Sequence, residues 1–176
     1  FFNQPTYSDM STNWVNFNLR SLKSLLKILE IFQVKCFFAV SRINANMGKF
    51  KKKVILSTGM SNILDIDKAI KTLVQNGTSK NNITLMQCTS SYPAPFEEIN
   101  LRVINSLKKK FKLRVGFSDH SLGSIASIVA AAVGAKVIEK HITLDKKLDG
   151  PDHKSSLNPR EFKLMIDDIR MVEKIL

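Results

Sequence analysis

The sequence predicts an α/β fold in which a parallel β-sheet is covered by helices. From about residue 53 onward, short and continuously apolar stretches alternate with helical patterns four times, as is typical of buried parallel strands. The polar residues that end these stretches are spaced 31, 31 and 21 residues apart: Thr58, Thr89, His120 and His141. Polar groups at the carboxyl ends of parallel strands indicate the active rim of a (β/α)8 barrel. A doubly wound open sheet gives the same local pattern.

The first βα unit and the second strand are predicted between residues 54 and 88. Val54–Leu56 forms a short buried strand that ends in a Ser-Thr-Gly sequence. An apolar stripe at helical spacing follows, made of Ile63, Ile66, Ala69, Ile70, Leu73 and Val74. Asn76 and Gly77 are typical of a helix C-cap and end this helix. The second strand is Ile83–Cys88.

The remaining units repeat this plan. After the second strand comes a loop stiffened by Pro93 and Pro95, and then one helix with Ile99, Val103, Ile104 and Leu107. The third strand is predicted over Leu113–Phe117 and is followed by a helix from Leu122 to Gly134. The fourth strand is predicted over Lys136–Glu139. Asn158–Glu161 reads NPRE, which predicts a capping box with proline at the first position of a final helix.

Residues 1–50 give a weaker pattern. Leu19–Phe32 carries leucines at helical spacing, and Val34–Val40 is a candidate buried strand. Ser41–Phe50 is assigned to no element. The chain opens with Phe1 instead of methionine, so we expect a fragment of a longer protein.

Composition excludes several classes of protein. The 176 residues suffice for one domain with a sizeable core, and the longest small, apolar run is too short to span a bilayer. No secretory signal is evident, so we expect a cytoplasmic protein with no membrane partner. The net charge of +12 suggests nucleic-acid binding as a candidate function. No nucleic-acid signature accompanies the lysines, so a small anionic substrate is favoured and no nucleic acid is expected. Cys36 and Cys88 form no disulfide framework, and Cys88 is interpreted as a buried small hydrophobe.

The histidines His120 and His141 end neighbouring predicted strands. Strand spacing places them roughly 5–7 Å apart, a distance at which two imidazoles hold one divalent cation completed by water. Each is flanked by a carboxylate, Asp119 or Glu139. The alternative is that each histidine only forms hydrogen bonds within its loop. His153 alone indicates little.

Hydroxyl groups form a second constellation at the strand ends, comprising Ser57, Thr58, Thr89, Ser90, Ser91 and Ser118. Together with backbone amides they suit a phosphate or carboxylate group. Each of them taken singly is as well explained as a helix N-cap. By the two-residue period of a strand, Lys140 lies on the opposite side from Glu139 and His141, so it is interpreted as structural or solvated.

Five motifs, taken in order, resemble the sialic acid synthase family, which comprises N-acetylneuraminate synthase and its legionaminate and pseudaminate relatives. They are VILSTGM at Val54–Met60, CTSSYPAP at Cys88–Pro95, GFSDHS at Gly116–Ser121, IEKHITLD at Ile138–Asp145 and GPDH at Gly150–His153. The resemblance runs from about Lys53 to Leu176. It implies a (β/α)8-barrel enzyme that condenses phosphoenolpyruvate with an N-acetylated amino-sugar aldehyde, similar to N-acetylmannosamine, to a nonulosonic acid and releases phosphate.

The resemblance also implies roles for individual residues. His120 and His141 match the ligands of a Mn²⁺ or Mg²⁺ ion, which acts as a Lewis acid on the aldehyde oxygen and orients a water. Glu139 joins them as a catalytic residue. Three serines match positions that hold phosphoenolpyruvate: Ser57, Ser90 and Ser118. Tyr92, Glu139 and Asp152 match positions near the sugar, with Asp152 binding its hydroxyls. Family members suggest a homodimer.

The chain also departs from the family. The upstream Glu-Ile-Gly…Asn-His motif is absent, and Phe37–Arg42 reads FFAVSR where the family has a strand like Tyr-Lys-Ile-Ala-Ser-Gly-Glu. We therefore expect residues 1–50 to be a degenerate or truncated segment. Residues 51–176 are expected to form the C-terminal half of the barrel, about four to five βα units, without the family's antifreeze-like domain. The alternative function is an inactive fragment that acts as a non-catalytic half-barrel assembly module.

Overall fold

Five parallel strands, taken in sequence order, form the sheet on which the fold is built. The computed structural model describes residues 37–39, 45–49 and 52–176. The strands are β1 (Phe37–Ala39), β2 (Val54–Ser57), β3 (Ile83–Cys88), β4 (Arg114–Asp119) and β5 (Ile138–Lys140). Each pairs with the next, in the order β1-β2-β3-β4-β5. A doubly wound sheet reverses its strand order at a switch point, whereas a barrel winds in one direction, so this order decides for a section of a (β/α)8 barrel.

Helical segments follow every strand. They are α1 (Ala45–Gly48), α2 (Ile63–Gln75), α3 (Phe96–Ile99), α4 (Arg102–Phe111), α5 (Ile125–Ala132) and α6 (Pro159–Ile175), with a short 3-10 turn at Lys80–Asn82. The described residues thus contain five βα units, which confirms the predicted four to five. Among these residues, no helix is long and apolar enough to cross a membrane.

Several predicted boundaries differ from the structure. The helix predicted from Ile99 to Leu107 is two helices, because Asn100 adopts a left-handed conformation with φ of 42° and interrupts it. Asparagine tolerates this conformation better than most residues, which explains the break. Strand β4 runs two residues beyond Phe117, and β5 begins at Ile138, not at Lys136.

The N-terminal predictions are only partly covered by the described residues. Of the strand predicted over Val34–Val40, the structure describes Phe37–Ala39, which is the β1 strand paired with β2. Within the segment assigned to no element, α1 occupies Ala45–Gly48. The predicted helix over Leu19–Phe32 lies outside the described residues, as does most of the 1–50 segment, whose degenerate character stays a prediction.

The hydrophobic core lies between the sheet and the helices that cover it. Alternate residues of the central strands, Leu56, Leu85 and Phe117, are 0–1% exposed and belong to the core cluster. The helices contribute apolar side chains to the same cluster: Ile66, Ala69, Ile70 and Leu73 of α2, Ile104, Leu107 and Phe111 of α4, and Ala126 and Ala130 of α5. Of the stripe predicted for α2, Ile63 and Val74 are instead 41% exposed. Because strand side chains alternate, the residues between these core positions face the interior of the barrel.

Gly116 allows β4 to fit closely between its two neighbours on that interior face. A Cβ atom at this position would lie 2.5 Å from both the Met86 Sδ and the Val137 carbonyl oxygen. Those distances are far below van der Waals contact, so a side chain here would push the strands apart. Glycine therefore keeps the carboxyl ends of β4 and β5 in register for the polar groups that follow.

The last helix begins as the sequence predicts. The Asn158 side chain accepts a hydrogen bond from the Glu161 backbone N–H, and the Glu161 carboxylate accepts one from the Asn158 backbone N–H. Pro159 occupies the first helical position. An equivalent capping box, formed by Asn62 and Asp65, starts α2.

Candidate active site at the carboxyl ends of the strands

His120 and His141 meet where adjacent strands end. Asp119 of β4 and Lys140 of β5 are register partners, so the next residue on each strand is one of the two histidines. Their ring centroids are 6.0 Å apart, within the range expected from strand spacing. Backbone hydrogen bonds hold both positions: Ala94 N–H donates to the His120 carbonyl at 2.9 Å, and Leu157 N–H donates to the His141 carbonyl at 3.0 Å.

Tyr92 places its ring against both histidines from the loop that follows β3. Its ring centroid lies 4.7 Å from that of His141 and 5.3 Å from that of His120, in an edge-on arrangement with the latter. Burial raises the pKa of the Tyr92 phenol. A hydrogen bond with Ser156 opposes this shift, while the negative charges of Asp152 and Asp119 add to it. The phenol is therefore neutral near pH 7, and it forms one wall of the site.

Ser118 links a carboxylate to an imidazole. Its hydroxyl donates to Glu139 Oε1 at 2.5 Å and lies 3.3 Å from His120 Nε2. Because that single hydroxyl proton goes to Glu139, His120 Nε2 must be the donor in the second contact. In the neutral form of the ring the proton is then on Nε2, and Nδ1 carries the lone pair. Nδ1 is buried, and none of the described residues forms a hydrogen bond with it.

His141 sits beside Asp152, whose Oδ2 lies 3.8 Å from the His141 Nδ1. Burial lowers the pKa of His141, and the nearby Asp152 charge opposes this shift only in part. The ring is therefore neutral at physiological pH, which is the form that binds metal ions. Asp152 reaches this position from the loop between β5 and α6.

The two imidazoles fit a divalent cation. His120 offers a buried ring nitrogen with its lone pair open, and His141 is held neutral 6.0 Å away. Among the described residues, no group of three or more His, Cys, Asp or Glu side chains is arranged to hold a metal. Two histidines completed by water therefore stay the predicted donor set, and the metal itself stays a prediction.

Two of the predicted phosphoenolpyruvate residues, Ser57 and Ser90, lie at the carboxyl ends of β2 and β3. Ser57 is the half-buried last residue of β2, and Ser90 is exposed in the loop after β3. Gly59 brings the two loops together, because a Cβ atom there would lie 3.1 Å from Ser90 Oγ. The structure therefore gathers both hydroxyls at the same rim as the histidines.

Three other hydroxyls of the proposed phosphate constellation make local structural bonds. Thr58 Oγ1 donates to the Met86 carbonyl at 2.9 Å, and Thr89 Oγ1 donates to the Glu98 carbonyl at 3.2 Å. Ser91 donates to the Glu98 carboxylate at 3.4 Å. Hydroxyls committed to neighbouring backbone and side-chain groups are explained without a ligand. The constellation therefore reduces to Ser57 and Ser90, together with Ser118 beside His120.

Asp119 differs from the sequence interpretation, which grouped it with Glu139 beside the histidines. Asp119 faces α5 instead, and it is 1% exposed. Its Oδ1 accepts from the Ser121 backbone N–H at 2.8 Å and from the Ser121 hydroxyl at 2.6 Å. Its Oδ2 accepts from Ser127 Oγ at 2.5 Å and lies 3.2 Å from Lys140 Nζ.

Lys140 is structural, one of the two roles that the sequence left open. Its side chain is 1% exposed, and Nζ also donates to the Ser121 carbonyl oxygen. Burial lowers the pKa of Lys140, while Asp119 opposes the shift. Asp119, Ser121, Ser127 and Lys140 are called the outer network below. Strand alternation was the signal that could have placed Asp119 in it, since its neighbours Ser118 and His120 face inward.

Cys88 and His153 belong to the supporting structure. Cys88 is half-buried, and its Sγ accepts a hydrogen bond from the Gly59 backbone N–H at 3.1 Å, so it is more than the apolar filler that the sequence suggested. Burial raises the pKa of this thiol, which keeps it protonated at neutral pH. His153 Nδ1 lies 2.7 Å from Thr143 Oγ1.

The fold and the rim together define the class of protein. Consecutive parallel strands with polar side chains at their carboxyl ends are the layout of a (β/α)8-barrel enzyme. A family model described as the NeuB family matches residues 9–176. The chain belongs to the NeuB family, which confirms the resemblance to the sialic acid synthases.

Individual relatives agree with this assignment. Over 130 residues the chain is 52% identical to the N,N'-diacetyllegionaminic acid synthase of Campylobacter jejuni, which covers 74% of this chain and 39% of that protein. The solved structure of the spore coat polysaccharide biosynthesis protein SpsE from Bacillus subtilis is similar with a TM-score of 0.75 and 37% identity, over 86% of this chain and 44% of that one. The N-acetylneuraminic acid synthetase of Leptospira borgpetersenii gives a TM-score of 0.74 and 30% identity, over 90% and 55%. The chain thus spans about two fifths of the length of the Campylobacter relative.

Proposed function

We propose that this chain supplies the histidine-bearing part of the active site of a sialic-acid-type synthase. The reaction is the condensation of phosphoenolpyruvate with an N-acetylated amino-sugar aldehyde to a nonulosonic acid, with release of phosphate. The observation that carries the proposal is that His120 and His141 lie next to each other beside Tyr92. The ring centroids of the two histidines are 6.0 Å apart, and that of Tyr92 is 5.3 Å from His120 and 4.7 Å from His141. The proposal is supported by the membership of this chain in the NeuB family and by its similarity to relatives that are named as synthases.

His120 and His141 would hold the Mn²⁺ or Mg²⁺ ion. The open lone pair on His120 Nδ1 and the neutral ring of His141 suit that task. When bound, such an ion supplies Lewis-acid polarisation of the aldehyde oxygen. Ser118 orients His120 for this role, because its hydroxyl donates a hydrogen bond to Glu139 and accepts one from the His120 Nε2–H. Fixing the tautomer of a ligand histidine through its other nitrogen is a common feature of metal sites.

The other rim residues bind and orient the substrates. Ser57 and Ser90 bind the phosphoenolpyruvate, and Asp152 accepts hydrogen bonds from the sugar hydroxyls beside His141. Carbon 3 of phosphoenolpyruvate bonds to the aldehyde carbon, water adds at carbon 2, and the bond from carbon 2 to the phosphate oxygen breaks. Glu139, held by the Ser118 hydroxyl, accepts the proton that the attacking water loses, and the aldehyde oxygen takes up a proton to become a hydroxyl. The remaining proton of the added water leaves as the carbonyl forms at carbon 2 and phosphate departs.

An assay of phosphate release tests the proposal. The 176-residue chain is incubated with phosphoenolpyruvate, N-acetylmannosamine and Mn²⁺, with a di-N-acetylated hexose in a parallel arm because the Campylobacter relative is named for a diacetylated product. We expect sugar-dependent phosphate release that His120→Ala abolishes and that the matched control His153→Ala retains. A folded wild-type chain that releases no phosphate would contradict activity of this chain and favour the non-catalytic half-barrel.

Two accompanying properties are proposed from the family resemblance. The chain is expected to form a homodimer, and light scattering that gives the mass of a monomer would contradict this. A cytoplasmic location is proposed because phosphoenolpyruvate is an intracellular metabolite, and fractionation of cells expressing the chain tests it.

A further inference from the structure

The outer network lies directly behind the two histidines. His120 stands between Asp119 and Ser121 in the sequence, and His141 follows Lys140. Both neighbours of His120 are therefore bound within the network, as is the residue that precedes His141. Since Asp119 and Lys140 are also register partners, their side chains join the two strands at the level from which the imidazoles extend.

The network is closed. The Asp119 carboxylate receives three hydrogen bonds in addition to the Lys140 ion pair, and Ser127 brings in the first turns of α5. Ser121 and Ser127 are 1% and 0% exposed, so water does not compete for these contacts. A change in the distance between the ends of β4 and β5 would break several of these bonds at once.

We propose that Asp119 and Lys140 are positioning residues, whose buried ion pair holds His120 and His141 at the separation that a shared divalent cation requires. The part of this inference that concerns the cation rests on the proposed function, whereas the part that concerns the placement of the two rings does not. Replacing a buried ion pair by apolar residues of similar volume is often neutral for stability, because the pair must offset the desolvation of both charges, so stability alone does not explain a pair at this place. Directed contacts, unlike apolar packing, specify one arrangement of the two strand ends.

The test removes both charges together. The double variant Asp119→Asn/Lys140→Met keeps the shape of both side chains, lets the amide oxygen accept from Ser121, and leaves no unpaired buried charge. The matched control is Lys163→Met/Asp167→Asn, which removes an exposed ion pair on α6. Circular dichroism first establishes that both variants are folded at the temperature of the measurements.

Two readouts are then compared with the wild-type chain. In calorimetric titrations with Mn²⁺, we expect the double variant to bind roughly tenfold or more weakly, the usual range for residues that orient metal ligands, and the control to bind as wild type. In metal-free spectra of the imidazole groups, we expect the His120 and His141 signals to shift while the His153 signals stay. A folded double variant with wild-type affinity and wild-type ring signals would overturn the inference.

The two proposals fail in different ways. If the wild-type chain binds neither Mn²⁺ nor Mg²⁺, the metal assignment is wrong, and the metal-free ring spectra alone decide the positioning role. If the double variant does not fold, Lys140→Met replaces it, because Asp119 then keeps its three hydrogen-bond donors. The same shift of the His120 and His141 signals is expected from that variant, and unchanged signals would refute the positioning role.

Discussion

The two faces of β4 and β5 carry similar chemical groups at their carboxyl ends but use them differently. Toward the barrel interior, Ser118 and Glu139 accompany the histidines, and His120 Nδ1 has no hydrogen-bond partner among the described residues. Toward α5, Asp119 and Lys140 satisfy each other within a closed set of bonds. A polar group that is fully satisfied contributes to structure, whereas one left open is available for a ligand. Substitutions on the two faces should therefore affect different properties.

The largest effect on stability is expected on the outer face. Asp119→Ala leaves the Lys140 ammonium buried without its counter-charge, and breaking a buried pair in this way lowers the free energy of unfolding by about 3–5 kcal/mol. Urea denaturation measures the loss. Asp167→Ala breaks an exposed pair with Lys163 and should cost about 0.5 kcal/mol or less. Equal losses in the two variants would remove the distinction between the closed network and an ordinary surface pair.

A pair of matched serine substitutions sharpens the comparison. Ser127→Ala removes a hydroxyl that donates to buried Asp119, and leaving part of that carboxylate unsatisfied should cost about 1–3 kcal/mol. Ser118→Ala removes a hydroxyl that donates to Glu139, which water can reach and solvate instead, so the loss should be less than half as large. Chemical denaturation of both variants under the same conditions provides the measurement. A larger loss for Ser118→Ala would place the structural role on the inner face.

A smaller change in stability is expected from the inner histidine. His120→Ala should alter the free energy of unfolding by about 1 kcal/mol, because among the described residues Nδ1 forms no hydrogen bond and Nε2 makes only one long contact, of 3.3 Å, with Ser118. The same variant should lose measurable Mn²⁺ binding in a calorimetric titration. Unimpaired Mn²⁺ binding by folded His120→Ala would exclude this residue as a ligand.

The smallest effect concerns a pair that is satisfied but exposed. Hydrogen bonds from Lys146 and from the Asn158 backbone lower the pKa of Glu161 below its ordinary value of 4.5. A depressed carboxyl pKa stabilises the fold above the unfolded value, and this contribution is lost as pH falls through the folded value. The difference in melting temperature between pH 7 and pH 3 should therefore be slightly smaller in Glu161→Gln. No change in that difference would show that the exposed pair contributes nothing.

The sequence predicted more of the site than of the segments around it. The histidine spacing was read correctly because strand alternation and register are local rules that place both residues at strand ends. The break at Asn100 was missed because an apolar stripe continues on both sides of it, and one left-handed residue leaves no trace in periodicity. The sequence identified Asp119 only as a carboxylate next to His120, and the contacts with Ser127 and Lys140 show that it faces α5.

By itself the sequence determined the α/β class, the order of the βα units from β2 onward and the five motifs of the family, since these depend on residues close together in the chain. The βα alternation itself fits both a barrel and a doubly wound sheet, the family motifs implied the barrel, and the order of the strands in the tertiary structure confirmed it. The tertiary structure alone decided which polar groups remain open. Among the described residues His120 Nδ1 has no hydrogen-bond partner, while Asp119 and Lys140 neutralise each other. These outcomes depend on contacts between strands and with α5 that sequence order does not reveal.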